Sequence, residues 1–279
     1  MLIDSHVHIF PPELAAERER LKEREPYFAA IFVHPSAPMS DAAALLTMME
    51  NEGVERAVVC AFPWRDAGRA RAHNQYILEQ ARRSPGRLVP LAAVDPLCPH
   101  ALAEAERALA EGAAGLGEVG AYLDDLGEPR VLQSLSLMAR LCAEAGKPML
   151  LHTNEPVGHV YPGKSPMTLG GLARLLSACP NTRFQLAHLG GGVFFYLWLK
   201  RGVKKLLENC VTDCSALPFL FRPVVLRYLA ESGVKILFGS DWPLLTPGRY
   251  RRDLERAGLD PEQLEQIRFR NALEFWAQP

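Results

Sequence analysis

Eight short apolar segments recur along the chain and alternate with longer stretches of helical periodicity. Each has the length and composition of a buried strand. The segments lie at residues 2–9, 56–62, 88–95, 114–120, 148–154, 183–189, 210–215 and 234–241. Strands that alternate with helices pair in parallel and are covered by those helices. Eight such units in 279 residues predict an α/β protein, a single (β/α)8 TIM barrel.

An open doubly wound sheet is the alternative architecture. Such sheets bind dinucleotides at a Gly-rich loop after an early strand, and Gly115-x-Gly117-x-x-Gly120 formally fits that pattern. However, the pattern lies inside the fourth strand segment, and no acidic residue follows at the required place. No change of composition marks a second domain, so residues 1–279 are expected to form one domain.

Helices are predicted between the strand segments and after the last of them, and the two longest stretches without a strand or helix pattern are predicted loops. Residues 40–52 predict a helix capped by Ser40, and residues 261–277 predict the last helix. Residues 25–39 and 155–168 show no clear strand or helix pattern. Both follow a strand or its first helix, on the side where a barrel keeps its active site.

The composition excludes several classes of function. The formal net charge is −1 and the basic stretches are short or mixed with acids, so neither nucleic acid nor a membrane is an expected partner. No apolar run approaches the roughly 20 residues of a membrane span. The six cysteines form no CxxC pair and are expected to be reduced, mostly buried thiols of a cytoplasmic protein.

The first segment carries the pattern Asp4-Ser-His6-Val-His8. Side chains alternate between the faces of a strand, so His6 and His8 point the same way, and Asp4 shares their parity. Two imidazoles on one face can together bind a metal ion that neither would bind tightly alone. The alternative is a pair of hydrogen-bonded histidines at a strand end, and the pattern alone leaves both interpretations open.

Residues that can bind metal also end several other strand segments. The catalytic groups of a TIM barrel lie at the carboxyl ends of its strands. Six imidazole or carboxylate side chains occupy such positions: His6, His8, Glu118, His152, His188 and Asp241. A lone histidine at a strand end usually only forms hydrogen bonds, but six such residues on five strands predict one shared metal site.

In their local context, these residues resemble the amidohydrolase superfamily of metal-dependent barrels. Three phrases resemble its amidohydrolase-related (amidohydrolase 2) branch: Asp4-Ser-His-Val-His8, Leu186-Ala-His-Leu-Gly-Gly191 and Phe238-Gly-Ser-Asp-Trp-Pro243. Arg270-Asn-Ala272 resembles the closing helix of that branch. The resemblance spans nearly the whole chain and implies a metal-dependent enzyme. The branch includes hydrolases, lactonases and non-oxidative decarboxylases.

The resemblance leaves the number of metal ions open. Gly117-Glu-Val-Gly120 resembles the Gly-Glu-Ile-Gly element of TatD-type hydrolases, whose Glu bridges two metals. A two-metal site would use Glu118 as the bridge between a first ion on His6, His8 and Asp241 and a second ion on His152 and His188. In a one-metal site His152 would join the first ion and His188 would become the acid/base, while Glu118 could orient a ligand.

The ligand set suggests the metal and the reaction. Imidazole and carboxylate ligands suit Zn, Mn, Fe or Ni, and the imidazole-rich set points first to Zn. Such a metal activates a bound water and polarises a substrate oxygen. The resemblance implies that Asp241 takes the proton of that water and passes it to the leaving group.

Two reactions fit this chemistry. The first hypothesis is a hydrolase of an amide, lactone or ester bond in a small molecule. The alternative is a non-oxidative decarboxylase of an aromatic or enoic acid, which would need one metal. A TatD-like nuclease would need a basic groove that is not visible. A non-catalytic binding protein is disfavoured because all six ligand-type residues are present.

Candidates for substrate contact follow the second, fifth and eighth strands: Trp64, Arg65, His159, Tyr161 and Trp242. Arg65 could pair with a carboxylate or phosphate, and Trp242 could wall the pocket, but each could equally be structural. His34 lies in a loop that could cover the site, whereas His73 and His100 are expected at the surface. A homodimer is a reasonable expectation because such barrels expose apolar helix faces.

Overall fold

The computed structural model describes residues 1–276. Eight parallel strands form one sheet in which each strand pairs with its neighbours in the chain. The strands are β1 (Ile3–His8), β2 (Arg56–Cys60), β3 (Leu88–Ala92), β4 (Gly115–Val119), β5 (Met149–Leu151), β6 (Phe184–Leu186), β7 (Cys210–Asp213) and β8 (Ile236–Leu237).

The sheet closes through hydrogen bonds between β1 and the segment that follows β8. The amide of His8 donates to the carbonyl of Trp242 at 2.7 Å, and the amide of Asp241 donates to the carbonyl of His6 at 2.9 Å. These bonds complete a (β/α)8 barrel, which confirms the predicted fold. They also place Asp241 beside the two histidines of the first strand.

Helices connect the strands and form the outer layer. None of the helices within residues 1–276 is both long and apolar enough to cross a bilayer. Two 3-10 segments, Val193–Leu197 and Pro247–Tyr250, and a π-helical turn, Gln266–Arg270, interrupt the layer. The α-helices are α1 (Pro12–Ala16), α2 (Arg18–Arg24), α3 (Pro26–Ile31), α4 (Ala42–Glu52), α5 (Ala67–Arg83), α6 (Ala101–Ala110), α7 (Pro129–Glu144), α8 (Leu169–Ala178), α9 (Ala187–Gly190), α10 (Val203–Leu206), α11 (Leu217–Leu220), α12 (Val224–Glu231), α13 (Arg251–Arg256), α14 (Pro261–Glu265) and α15 (Asn271–Trp276).

Apolar side chains hold this layer against the strands. In α4, Leu45 and Met49 lie one turn apart and are almost completely buried, in the same core as Val7 of β1 and Val59 of β2. Full burial of each such side chain stabilises the fold by roughly 1.5–3 kcal/mol. The six cysteines are free thiols and none of them is exposed, as the sequence predicts.

Several element boundaries differ from the predicted ones. Asp41, rather than Ser40, caps α4, because its carboxylate accepts a hydrogen bond from the amide of Ala44 at 2.8 Å. Residues 25–39 are not simply a loop, since Pro26 begins α3, where its fixed φ suits the first helical turn.

The chain from Glu155 to Thr168 lacks strands and helices, as predicted. By contrast, the helix predicted for residues 261–277 is divided by the π-helical turn between α14 and α15. Its last predicted residue, Ala277, lies outside the described residues.

Aromatic side chains from α3 and from the ends of β1 and β2 form a second core at the carboxyl end of the barrel. The ring of Phe28 stacks on Phe32 at 4.4 Å and on Trp64 at 5.5 Å. Such ring pairs contribute about 0.5–1.5 kcal/mol each beyond the burial of their surface. We call this group the aromatic wall: Phe10, Phe28, Phe32, Phe62 and Trp64.

His73 of α5 is almost completely buried against the aromatic wall, so its predicted surface position is wrong. Its Nδ1 accepts hydrogen bonds from the indole of Trp64 at 2.9 Å and the amide of Phe62 at 3.3 Å. Its Nε2 donates to the carbonyl of Ile9 at 2.8 Å. Burial lowers the pKa of His73 to about 4. The ring therefore joins the ends of β1 and β2 in its neutral form.

This neutral histidine should make stability depend on pH. The pKa of His73 is 6.5 unfolded and about 4 folded, so its contribution is complete above pH 6.5 and is lost as pH falls toward 4. Between pH 7 and pH 5 we expect this residue to reduce the free energy of unfolding by about 2 kcal/mol. Urea unfolding of the native protein and His73→Gln at both pH values would measure the difference. An equal pH dependence in the two proteins would contradict this assignment.

Candidate active site

Four strand ends bring five of the six predicted ligand residues into one cluster. The Nε2 atoms of His6 and His8 lie 3.1 Å apart. Asp241 Oδ1 lies 3.7 Å from His6 Nε2 and 3.5 Å from His8 Nε2. Carboxylate oxygens of Glu118 lie 3.7 Å from the Nε2 atoms of His6, His8 and His188. These residues meet at one point because each lies at the carboxyl end of a barrel strand. We call this placement of catalytic groups at strand ends the strand-end rule.

His152, the sixth predicted ligand, joins the cluster through Glu118. Its Nδ1 lies 2.9 Å from Glu118 Oε1, and its Nε2 lies 3.2 Å from the carbonyl oxygen of Gly163. The hydroxyl of Tyr122 donates to the other oxygen of Glu118 at 2.9 Å. A histidine and a tyrosine thus fix the orientation of this buried carboxylate.

His6 is fully buried and is anchored by Asp213, the last residue of β7. Its Nδ1 donates to Asp213 Oδ2 at 3.1 Å, which leaves Nε2 facing the cluster. A Cβ atom on Gly239 would lie only 2.9 Å from the Cβ of His6. The missing side chain of Gly239 therefore lets the chain before Asp241 pass close to β1.

The charges of the cluster favour a bound cation. Burial alone would raise the pKa of Glu118, but the neighbouring His152 and His6 hold it well below its usual value. Burial would lower the pKa of His6, yet the carboxylates of Asp213, Glu118 and Asp241 raise it to about 10. The protein alone thus balances its buried carboxylates with a proton on His6, and a metal ion could supply that charge instead.

The donor set also fits a divalent metal ion. Two groups each bring three ligand atoms within 4.8 Å of one another: His6, Glu118 and His188, and His6, His8 and Asp241. Imidazole nitrogen and carboxylate oxygen are ligands of Zn, Fe and Mn in proteins. Bonds of about 2.1 Å to one ion can be made by two nitrogens 3.1 Å apart, the spacing of His6 Nε2 and His8 Nε2.

A cavity of about 560 Å³ ends at this cluster. His34, His159 and Tyr161 also line it, and no lysine or arginine does so among the described residues. A larger, open cavity of about 1050 Å³ lies at the amino ends of β6 to β8 and contains none of the six ligand-type residues. The walls of the smaller cavity are mostly aromatic and apolar: Phe10, Ile31, Phe32, Phe62, Tyr122, Phe219, Leu220 and Leu244.

Of the five predicted substrate-contact residues, His159 and Tyr161 line this cavity, and Trp64, Arg65 and Trp242 do not. The chain turns outward after β2, so Trp64 packs behind the cavity in the aromatic wall. The side chain of Arg65 is 57% exposed. Trp242 is buried in the main core, while the two residues after it reach the cavity.

Asp213 and Tyr122 were not predicted from the sequence. Asp213 ends a strand, as Glu118 and His188 were expected to do, so the strand-end rule applied to β7 would have found it. Tyr122 follows β4 by three residues, and nothing in its local sequence indicates that its hydroxyl contacts Glu118.

Comparisons with known proteins agree with this geometry. A family model described as Amidohydrolase matches residues 3–278. No curated protein matches the chain. The 5-carboxyvanillate decarboxylase of Sphingomonas paucimobilis has a similar structure, with a TM-score of 0.77 and 16% identity over 100% of this chain and 99% of that chain.

Two further solved structures share the fold. A dihydroxybenzoic acid decarboxylase from Polaromonas, with bound manganese and the inhibitor 2-nitroresorcinol, has a TM-score of 0.70 and 17% identity over 99% of this chain and 96% of that chain. A probable 2-pyrone-4,6-dicarboxylic acid hydrolase from Acinetobacter baumannii, with citric acid bound, has a TM-score of 0.61 and 17% identity over 99% of each chain. Because the family model covers almost the entire barrel, the chain belongs to the amidohydrolase family of enzymes.

Proposed function

We propose that this protein is a metal-dependent, non-oxidative decarboxylase of small aromatic acids. The observation that carries the proposal is the cavity itself. Its walls are aromatic, its inner end is the histidine and carboxylate cluster, and its lining residues within the described chain include no lysine or arginine. A flat apolar acid with a single carboxylate fits such a cavity better than a multiply charged substrate does.

The charges of the cavity indicate how an acid would be oriented. Glu118 and Asp241 would repel a substrate carboxylate if their charge were not balanced. A divalent ion at the cluster would balance them, bind the carboxylate and stabilise negative charge on the substrate oxygens. The apolar ring would then lie toward Phe10, Phe32 and Phe62.

The geometry of His6 favours a site that holds one metal ion. Both candidate ligand groups use His6. Because its Nδ1 is engaged by Asp213, only its Nε2 can bind an ion. We therefore propose one divalent ion, held by His6, His8 and Asp241, with Glu118 and His188 beside it. The solved decarboxylase with bound manganese supports Mn, which the ligand set already allows, as a candidate ion beside Zn.

Asp241 is the proposed proton carrier. Decarboxylation forms a C–H bond at the ring carbon that held the carboxylate, while the C–C bond breaks and CO2 leaves. Asp241, as a carboxylate, can take a proton from a substrate hydroxyl or a water and deliver it to that carbon. His8 and the cluster hold Asp241 at the inner end of the cavity, where the substrate carboxylate would lie.

Hydrolysis remains the second candidate, and one observation favours it. Glu118 lies 3.7 Å from three imidazole nitrogens, which is the arrangement expected of a carboxylate that bridges two ions. In that reaction Asp241 would take the proton of an attacking water. A solved structure that is named a probable 2-pyrone-4,6-dicarboxylic acid hydrolase shares this fold.

Product analysis separates the two reactions. The manganese-loaded and zinc-loaded protein would be incubated with hydroxylated benzoic acids, aromatic dicarboxylates, lactones and esters. Of these four classes, we expect only the hydroxylated benzoic acids with a single carboxylate to lose the mass of CO2. Addition of water to a lactone or ester, with no acid decarboxylated, would instead favour the hydrolase.

A further inference from the structure

We infer that Asp213 is the positioning residue that aims the Nε2 atoms of two cluster histidines, His6 and His188, at the metal site. The inference rests on the proposed metal-dependent function. It assigns a role to a buried carboxylate that neither the ligand set nor the cavity uses directly.

Each hydrogen-bond partner of the Asp213 carboxylate within residues 1–276 is a group that can donate. Oδ2 accepts from His6 Nδ1 at 3.1 Å and from Gln185 Nε2 at 2.6 Å. Oδ1 accepts from the amides of His188 and Ser215, each at 3.0 Å, and from the Ser215 hydroxyl. The side chain is completely buried, so no water competes for these positions.

These contacts determine which nitrogen of His6 carries the proton when the ring binds an ion. The amide groups of Gln185, His188 and Ser215 all donate hydrogen bonds to Asp213, so its two carboxylate oxygens act only as acceptors. His6 must therefore keep its proton on Nδ1. The lone pair of its Nε2 then points toward the place where the ion would lie, among His8, Glu118 and Asp241.

The same carboxylate acts on His188 through two routes. The Nδ1 of His188 lies 3.1 Å from the carbonyl oxygen of Ser215, which can only accept, and 2.8 Å from the Ser215 hydroxyl, whose own proton goes to Asp213. The proton therefore sits on Nδ1, and Nε2 faces Glu118.

The backbone of His188 provides the second route. Its φ of 52° and ψ of 54° are left-handed, a conformation that costs a non-glycine residue energy. The hydrogen bond from its amide to Asp213 Oδ1 holds the residue in that conformation. This turn is why β6 ends at Leu186, three residues before the predicted end of the sixth segment.

Asparagine cannot replace this carboxylate without disturbing the cluster. With five donors around two oxygens, the new NH2 group must face a donor. If it faces His6, the ring must accept at Nδ1 and carry its proton on Nε2, where the metal would bind. If it faces His188, the left-handed turn loses its hydrogen bonds.

The test measures metal binding and proton position rather than turnover. Calorimetric titration of the metal-free protein with Mn²⁺ should show that Asp213→Asn weakens affinity about 10- to 100-fold, the range found for residues that orient metal ligands. The matched control is Asp95→Asn, which alters a buried carboxylate that accepts from the Leu97 amide at 2.9 Å and lies outside the cluster. Its affinity should equal that of the native protein.

Nitrogen-15 NMR of the zinc-loaded native protein tests the inference without any variant. We expect a protected proton on Nδ1 of both His6 and His188, and coordination of zinc by His6 through Nε2. A proton on His6 Nε2, or native affinity in Asp213→Asn, would overturn the inference. If Asp213→Asn does not fold, the spectrum of the native protein decides. A protein that shows these protons but releases no CO2 would contradict only the proposed function.

Discussion

Replacing His6 by alanine is expected to abolish metal binding and to lower turnover at least about a thousandfold, the equivalent of roughly 4 kcal/mol of lost transition-state stabilisation. The reason is that His6 belongs to both candidate ligand groups, so no other set of three in the cluster, among the described residues, compensates for its loss. Metal content after reconstitution and dialysis, together with the initial rate on the best substrate of the panel, would measure the effect.

The same variant should keep the barrel. Asp213 retains its contacts with Gln185, His188 and Ser215, and the core that joins the strands to the helices is unchanged. His100→Ala is the matched control, because His100 precedes α6 and lines no part of the cavity. It should bind metal and turn over like the native protein. If His6→Ala unfolds, His6 contributes mainly to stability; if it binds metal normally, the ligand assignment is wrong.

Replacing Asp241 by asparagine is expected to lower kcat about 100- to 10,000-fold while KM changes little, because an amide cannot take up and return the proton. Burial alone would raise the pKa of Asp241, but its hydrogen bond with His8 and the charges of His6 and His188 lower it. The group is therefore ionised at neutral pH and ready to accept a proton.

The metal content of Asp241→Asn separates its two proposed roles. His6 and His8 remain, so the variant should bind an ion more weakly but should still be loaded at a high concentration of Mn²⁺. Low turnover in the fully loaded variant supports proton transfer by Asp241. Native turnover in that state would contradict this role and move the proton-carrying function to another residue, such as His188.

The strand-end rule explains why so much of the cluster could be predicted. In a barrel the end of a strand is a fixed place, so a histidine or carboxylate there has a defined destination whatever the loops do. His6, His8, Glu118, His188 and Asp241 reach one point for this reason. Asp213 obeys the same rule.

Loop side chains could not be placed in the same way. Trp64 and Arg65 follow β2 closely, yet the direction of each side chain also depends on α3, which lies much earlier in the sequence, and on how α5 packs against it. Trp64 is drawn into the aromatic wall by Phe28 and His73. The cavity wall from α3 was missed because residues 25–39 show no clear periodicity, although Pro26 marks the start of that helix.

The CO2 released per molecule of aromatic acid consumed, measured while the metal-free protein is titrated with Mn²⁺, tests the central claim most directly. We predict that release rises with added metal, reaches a plateau at one ion per chain, equals the amount of arene formed, and stops when a chelator is added. Consumption of a lactone, ester or amide without CO2, or a plateau at two ions per chain with only hydrolytic product, would contradict the proposed decarboxylase.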